Sequence, residues 1–121
     1  MNLYSLTIMD HYHHPRNVGK LDGATHKADE VNTSCGDKTR FGLRVENDKL
    51  KEIKHETRGC LVAIVSASVL SEKIIGKSTK EIKEMKAEDL MALIGMELTT
   101  SRIRCAMLPL LAIQKALKGG G

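Results

Sequence analysis

Aromatic side chains are nearly missing from this sequence. They make up 2% of the 121 residues, and none of them is tryptophan. An aromatic cage, or a platform of rings that stacks on single-stranded bases, therefore has too few members to form. Aliphatic side chains must fill the core instead, and a hydrophobic fraction of 41% is enough for one modest folded domain.

No block of charge of one sign is present either. The 19 Lys and Arg and the 15 Asp and Glu are interspersed, so the formal charge of +4 does not indicate nucleic-acid binding. We expect a solvated, lysine-rich surface, with an acidic protein partner as the less favoured alternative. No run of about 18 apolar residues predicts a membrane span, and no basic segment followed by an apolar one opens the chain. These absences predict a cytoplasmic protein that binds neither membranes nor nucleic acids.

Cysteine is also scarce, at three residues. An odd number cannot pair completely within one chain, so we expect no disulfide framework. Cys35, Cys60 and Cys105 contain no CxxC spacing, and each is expected at an exposed boundary between elements. With Asp37 they make four potential donors, the number that tetrahedral zinc or a [2Fe-2S] centre needs. From the residues alone, buried structural cysteines stay slightly favoured over a shared metal or thiol site.

Hydrophobic patterning predicts an α+β fold. Alternation over residues 40–46, turn residues at Asn47 and Asp48, and a returning strand over 50–57 predict a hairpin. The stretch 24–33 offers a third strand. Because helical segments follow the strands, we expect a small antiparallel sheet of about three strands with helices packed on one face.

The helical segments carry their own signals. Pro109 is tolerated in the first turn of a helix and disfavoured in its interior, which predicts that the last helix begins close to Cys105. We expect one domain over 1–118 and a glycine tail over 119–121. The other predicted helices cover residues 3–12, a central buried segment 61–75, a short helix after a capping box formed by Ser78 and Glu81, and 87–95.

Four ordered motifs connect the chain to a known family. They resemble the DHYxxPRNxG, CGD, GC and third-cysteine motifs of the iron-sulfur cluster assembly scaffolds of the IscU and NifU N-terminal-domain type, including the SufU proteins. The resemblance extends from about residue 3 to 117. Its carriers are Asp10, His11, Tyr12, Pro15, Arg16, Asn17, Val18 and Gly19, then Cys35, Gly36 and Asp37, then Gly59 and Cys60, and finally Arg102, Ile103, Arg104 and Cys105.

The resemblance implies a scaffold or carrier protein without enzymatic activity. A cysteine desulfurase would deliver sulfur as persulfide, iron would arrive, and a transient [2Fe-2S] cluster would pass to apoprotein recipients or carriers. Cys35, Cys60 and Cys105 match the family's ligand cysteines and are the candidate persulfide acceptors. Asp37 matches the carboxylate associated with cluster lability, which is chemically reasonable because a hard oxygen donor suits iron less well than soft thiolate does.

Arg104 is a departure that supports an alternative. IscU-type members carry a histidine before the third cysteine, whereas an arginine cannot lose its proton and bind metal. The arginine resembles SufU, whose members bind zinc, and implies a zinc-dependent sulfurtransferase in which Cys35 takes the persulfide and Arg104 stabilises the anion. The interval from Cys60 to Cys105 is nevertheless too short for the SufU insertion. The chaperone-binding LPPVK segment of IscU is also replaced, by residues 98–102. A zinc-stabilised binding module is the third hypothesis.

The five histidines divide into two groups. His11 lies in the opening motif, where a structural role in fixing the turn is favoured over a docking surface for the desulfurase. His13, His14, His26 and His55 are expected to be solvated side chains rather than ligands.

Overall fold

The computed structural model describes residues 5–34, 36–96 and 98–119 and has the predicted α+β architecture. Three antiparallel strands form one sheet in the order β1-β2-β3, and the longest helices pack on one face of it. The prediction of a three-stranded sheet covered by helices is confirmed. The elements are α1 (Leu6–His13), β1 (His26–Asn32), β2 (Asp37–Glu46), β3 (Lys49–Arg58), α2 (Leu61–Lys73), α3 (Thr79–Lys83), α4 (Ala87–Ile94) and α5 (Thr100–Gly119).

The central strand β2 has the alternation that its sequence predicts. Thr39, Phe41 and Leu43 are buried beneath the helices, while Lys38 and Arg40 on the other face are exposed. The turn to β3 contains only Asn47 and Asp48, both with positive φ (52° and 60°), as a type I′ hairpin requires. The strand therefore buries one face, and its first residue, Asp37, belongs to that buried set.

Helix α2 is the buried centre of the helical layer. Nine of its residues are buried, among them Ser66, Ser68 and Ser71. Small side chains allow close approach to α5, and the Ser66 hydroxyl donates a 2.6 Å hydrogen bond to the Ala106 carbonyl of that helix. The sequence prediction of a central buried helix is correct.

A short segment from the opening motif covers the free edge of β3. Val18 pairs with His55 in a parallel bridge. The Gly19 amide donates to the His55 carbonyl, and the His55 amide donates to the Asn17 carbonyl, each at 2.9 Å. The opening motif is thus fixed to the sheet next to α2.

Helix α5 begins earlier than the sequence analysis expected. It starts at Thr100, so Pro109 lies in its interior and Cys105 lies in its second turn. The prediction of a helix start near Cys105 was wrong because it considered only the backbone hydrogen bond that Pro109 removes and not the burial of the residues around it. Residues on both sides of the proline, including Ala106 and Leu110, are fully buried, and this packing outweighs the local penalty.

The remaining helix ends follow their sequence signals. Ser78 and Glu81 form the predicted capping box of α3, and Gly95 ends α4 with a left-handed φ of 67°. Gly120 and Gly121 lie outside the described residues, so the domain bounds 1–118 stay a prediction. Within the described ranges no helix combines the length and apolar character needed to cross a bilayer.

Candidate metal centre

A carboxylate and two thiols from three separate elements meet at one end of the sheet. Asp37 begins β2, Cys60 immediately precedes α2, and Cys105 belongs to α5. One ligand atom from each residue lies within 4.8 Å of the other two. Cys35, the third predicted cysteine ligand, lies outside the described residues. The structure therefore brings together three of the four residues that the sequence analysis selected.

Asp37 is held by the start of α2. Its side chain is 3% exposed, and its Oδ1 accepts a 3.1 Å hydrogen bond from the Cys60 backbone amide. The Cys60 Sγ lies 3.5 Å from the other oxygen, Oδ2. Because the amide at a helix start has no partner within the helix, the carboxylate fills a position that the helix leaves open. Asp37 is thus both an N-terminal cap of α2 and a neighbour of the thiol.

Gly59 makes this approach sterically feasible. A Cβ atom added at this position would lie 2.4 Å from Asp37 Oδ1 and 2.6 Å from its Cγ. Such distances are well below contact distance, and the clash would be with a buried side chain that has little space to move. Gly59 is therefore needed for the close approach of Asp37, which explains the glycine of the GC motif physically.

The two described cysteines differ in exposure. Cys60 is half-buried at the extended residue before α2, with ψ 166°. Cys105 is 8% exposed, and its Sγ lies 3.9 Å from the Ser101 carbonyl, one turn earlier. The expectation that every cysteine would occupy an exposed element boundary is wrong for Cys105, since α5 begins five residues before it. Cys60 does occupy a boundary, as expected.

The donor set suits a thiophilic metal. Thiolate sulfurs around tetrahedral zinc lie about 2.3 Å from the ion, which places neighbouring donors about 3.8 Å apart. The pair of Asp37 and Cys60 already has this spacing, and Cys105 needs a shift of about 1 Å, which a side-chain rotation can supply. Two sulfurs and one oxygen fit zinc or the iron of a cluster and do not fit magnesium or calcium.

Unpaired cations flank each of the three donors in the sequence. Lys38 follows Asp37, Arg58 precedes the Gly59 turn, and Arg104 precedes Cys105; all three cations are exposed. Within the described part of the chain none of them forms an ion pair. Lys38 and Arg58 even face each other across β2 and β3, an arrangement of like charges that destabilises a sheet. Lys38 and Arg58 lie on the helix-free face of the sheet, opposite Asp37, and line one surface pocket there with Arg40 and Glu56.

A second polar cluster fixes the opening motif to the middle of α2. His11 is buried, and its Nδ1 lies 2.7 Å from the Ser68 hydroxyl. The same hydroxyl accepts a 2.9 Å hydrogen bond from the Arg16 amide, and Asn17 donates to the Ser71 hydroxyl. Burial lowers the pKa of His11, and the Arg16 guanidinium lowers that pKa further. His11 thus makes the kind of structural contact that was predicted for it, and its partner, Ser68, belongs to α2.

His55 corrects a sequence expectation. It is 2% exposed rather than solvated, and its ring stacks on Phe41 with centroids 5.3 Å apart. Its Nε2 donates to the Arg16 carbonyl at 2.8 Å, so Nδ1 accepts from the Thr57 hydroxyl at 3.0 Å in the neutral ring. Burial lowers the pKa of His55. The signal was in the sequence, since His55 shares its strand face with Ile53, two residues earlier.

The other three histidines have no place in either cluster. His13 and His14 are exposed at the end of α1, as expected. His26 is half-buried at the start of β1, where its Nδ1 contacts the Thr25 hydroxyl at 2.7 Å. The roles of Ser68 and Ser71 were not predicted, although polar residues within an otherwise apolar helix were the available signal.

A small α+β domain with a candidate metal site of cysteine and carboxylate donors at the end of its sheet is the class that this fold and this donor set define. The model of the NifU-like N-terminal domain matches residues 3–119, which is almost the entire sequence. The chain belongs to this family.

Three similar proteins illustrate the range of the family. "Zinc-dependent sulfurtransferase SufU" of Bacillus subtilis is 31% identical, over 95% of this chain and 89% of its own. "Iron-sulfur cluster assembly scaffold protein IscU" of Thermotoga maritima is 30% identical, over 96% and 93%. The crystal structure of a putative SUF-system scaffold, FiSufU, from Fervidobacterium islandicum superposes with a TM-score of 0.76 at 28% identity, over 95% and 96%. Relatives of both the IscU and the SufU type thus align over nearly all of this chain.

Proposed function

We propose that this protein is a scaffold on which a transient [2Fe-2S] cluster is assembled and from which it is transferred, with sulfur supplied by a cysteine desulfurase. The proposed ligands are Cys35, Asp37, Cys60 and Cys105. The observation that carries the proposal is the convergence of Asp37, Cys60 and Cys105 within 4.8 Å at the end of the sheet. Relatives named as IscU scaffolds at about 30% identity support it.

The chemistry of the donors fits a cargo that must leave again. Thiolates bind iron strongly because both are soft partners, whereas the Asp37 oxygen is a weaker match and makes one corner easier to exchange. Cys60 is half-buried rather than enclosed, so iron and sulfur can reach the donors from solvent. In this proposal the cluster is the cargo that recipient apoproteins or carriers receive, and the protein itself catalyses no reaction.

Anaerobic reconstitution tests the scaffold function. Incubation with ferrous iron, cysteine, a desulfurase and a thiol reductant, which reduces the persulfide sulfur to sulfide, is expected to give a sulfur-to-iron charge-transfer absorbance that is lost in Cys60→Ser. Asp22→Ala serves as the matched control, because Asp22 is an exposed loop carboxylate outside the donor set. A colourless wild-type protein, or a Cys60→Ser variant that colours as strongly as wild type, would contradict the proposal.

A second function, that of a zinc-dependent sulfurtransferase, is favoured by Arg104. This exposed arginine precedes Cys105 and has no ion-pair partner in the described ranges, and a relative 31% identical bears that enzyme's name. In the transfer step the Cys35 thiolate attacks the terminal sulfur of the donor persulfide. A new sulfur-sulfur bond forms, the donor's bond breaks, and the donor cysteine leaves as thiolate. Arg104 would stabilise the resulting persulfide anion.

Metal content and turnover separate the two functions. A sulfurtransferase is expected to be purified with about one zinc per chain, to stimulate the desulfurase with zinc bound, and to lose that stimulation in Arg104→Gln. A scaffold is expected to form the cluster and to be inhibited by excess zinc. Metal analysis alongside an absorbance spectrum of anaerobically purified protein provides the first measurement.

A further inference from the structure

An apolar groove lies between the outer strand of the sheet and the last helix. Its volume is about 380 Å³, and its walls are residues 30–33 of β1 and the turn after it, and one side of α5. We call it the β1–α5 groove. It shares none of its lining residues with the three described donors, although Arg104 at one end is the neighbour of Cys105.

The helix side of the groove is an apolar stripe at the margin of the core, against which Met107 packs. Ile103, Met107 and Leu111 are spaced by four residues and therefore lie along one side of α5. Leu111 is 45% exposed, and the other two are half-buried. With the buried Leu108 they form the apolar lining of the groove, and a contiguous apolar surface of this kind is typical of a binding site. Val31 also borders the groove, but strand alternation places its side chain on the helix-free face of the sheet.

The strand side of the groove has backbone hydrogen-bonding groups that point away from the sheet, and one of them, the Asp29 carbonyl, is bonded to Lys115. Strand β1 is an edge strand, and within the described residues it pairs only with β2. The Lys115 ammonium donates to the Asp29 carbonyl at 3.1 Å, so that carbonyl points away from β2. By the alternation of an antiparallel ladder, the amide and carbonyl of Val31 point outward as well. This edge can pair with another extended segment.

The spacings on the two sides match an extended peptide. Successive residues of the stripe on α5 lie about 6 Å apart along the helix axis, since each residue rises about 1.5 Å. Alternate residues of a strand lie about 6.7 Å apart and point to the same side. A peptide paired with β1 could therefore place two side chains, at i and i+2, in the gaps between Ile103, Met107 and Leu111.

The charges at the ends of the groove define the peptide further. Arg104 stands at one end and is unpaired among the described residues, and Lys115 and Lys118 stand at the other beside Leu111. Lys115 is already paired with Glu30, a lining residue of the groove, at 3.9 Å. Arg104 at one end and Lys118 at the other form no ion pair within the described residues, and they favour an occupant with carboxylates at both of its own ends.

We propose that the β1–α5 groove binds an extended segment of a partner protein as a fourth strand of the sheet. The segment has apolar side chains at two alternate positions and acidic residues on either side of them. Main-chain pairing along β1 supplies affinity and the apolar gaps supply selectivity, as in other cases of strand addition. A partner that binds in this way is positioned next to Cys105. This docking function goes beyond cluster assembly or sulfur transfer and is independent of which metal is bound.

A labelled peptide tests the groove directly. The probe is a fluorescein-labelled heptapeptide in which two valines alternate with threonine and two acidic residues stand at each end. Saturable binding is expected, with NMR shifts concentrated in residues 27–33 and 103–111. Leu111→Glu is expected to weaken binding at least about tenfold by placing a like charge in an apolar gap. Leu6→Glu is the matched control, since Leu6 is 90% exposed on α1, and should bind as wild type does.

Backbone chemistry of the probe provides the decisive comparison. N-methylation of the amides on one edge of the peptide should abolish binding, and N-methylation on the opposite edge should leave it intact, because only one edge can pair with β1. A version with lysines replacing the acidic residues should bind at least about tenfold more weakly. Equal binding of the two methylated peptides, or shifts outside the groove, would overturn strand addition. A wild-type dimer formed through this edge, which the peptide cannot dissociate, would overturn it as well.

Discussion

Two polar clusters lie along α2, and they are completed in opposite ways. The cluster around Ser68 is closed: His11 and Arg16 contact its hydroxyl at 2.7 and 2.9 Å, as ordinary hydrogen bonds do. The cluster at the start of α2 is loose, since its donor atoms are separated by up to 4.8 Å and two of them are weakly bonding sulfurs. Satisfied polar groups fix a structure, whereas converging and weakly bonded ones are available for a ligand. The first cluster therefore positions the second.

The hydrogen-bond inventory supports the same distinction. Among the described residues, every buried side-chain nitrogen and oxygen atom has a hydrogen-bond partner. The opening motif gives α2 a second anchor, through Asn17 and Ser71, in addition to its packing on α5. A helix held in this way places Cys60, the residue before its first turn, at a defined position next to Asp37. Damage to the closed cluster should mainly cost stability, and damage to the loose cluster should mainly cost ligand binding.

The largest effect is expected from Gly59→Ala, which breaks the loose cluster. The added Cβ would lie 2.4 Å from Asp37 Oδ1, so the carboxylate must move away from Cys60. We expect affinity for Co²⁺, measured by its thiolate charge-transfer bands, to fall at least about tenfold, and the free energy of unfolding to fall by about 2–4 kcal/mol. Gly76→Ala is the control: its φ of 86° is also unfavourable for alanine, but no atom lies within 4 Å of the new Cβ.

The comparison of the two glycine variants isolates the clash from backbone strain. In Gly76→Ala the free energy of unfolding should fall by only about 1 kcal/mol, and the Co²⁺ affinity should stay at the wild-type value. Similar losses of affinity in both variants would show that Asp37 is not positioned by the space at Gly59.

Ser68→Ala breaks the closed cluster and ranks second. The substitution removes the acceptor of the Arg16 amide and the partner of His11, which leaves two polar groups in a buried place. We expect the free energy of unfolding, measured in urea, to fall by about 2 kcal/mol. The Co²⁺ affinity of the folded protein should fall less than threefold, which corresponds to about 0.6 kcal/mol of binding free energy. Ser66→Ala removes a single hydrogen bond, to the Ala106 carbonyl, so its free energy of unfolding should fall by about 1 kcal/mol. A larger effect of Ser68→Ala on metal affinity than on stability would reverse the proposed division between the clusters.

Much of the fold could be predicted because one buried face produces a simple period. The alternation at Phe41 and Leu43 predicted β2, and the unbroken apolar run predicted the buried α2. The same rule would have placed His55 in the core had it been applied to β3 as strictly as to β2. The start of α5 could not be predicted from the sequence near Pro109. The burial that compensates for the helix-breaking effect of this proline comes from contacts with residues remote in sequence.

The site could be predicted only as a set of residues. The motifs identified Asp37, Cys60 and Cys105, but their spacing in the sequence does not state that a sheet end, a helix start and the second turn of another helix coincide. The role of Gly59 depends on a distance of 2.4 Å from a hypothetical Cβ, which is a purely spatial fact. Convergence of distant residues is a tertiary property, and no local pattern encodes it.

Asp37→Ala sharpens the comparison with a smaller effect. Removing the exchangeable oxygen donor leaves a cluster held by the three cysteine thiolates, so we expect the reconstituted variant to retain its cluster roughly threefold longer or more under a chelator. The readout is the decay of the charge-transfer absorbance, and Asp22→Ala should decay at the wild-type rate. Faster loss in Asp37→Ala than in wild type would refute a role for this carboxylate in lability.

The smallest effect expected is a pH dependence of stability that arises in the closed cluster and its neighbour His55. Burial lowers the pKa of both His11 and His55 in the folded protein, so the unfolded chain binds more protons near the ordinary histidine pKa of about 6.5. Stability from these rings is fully present above that pH and is lost as the pH falls towards the folded values. Urea unfolding from pH 8 to pH 5 should show this decline. His55→Gln should reduce its slope, while His13→Gln, at an exposed position, should keep the wild-type slope. Equal slopes in all three proteins would mean that protonation of His55 does not contribute, and the stability of the opening motif would then have to depend on its hydroxyl contacts alone.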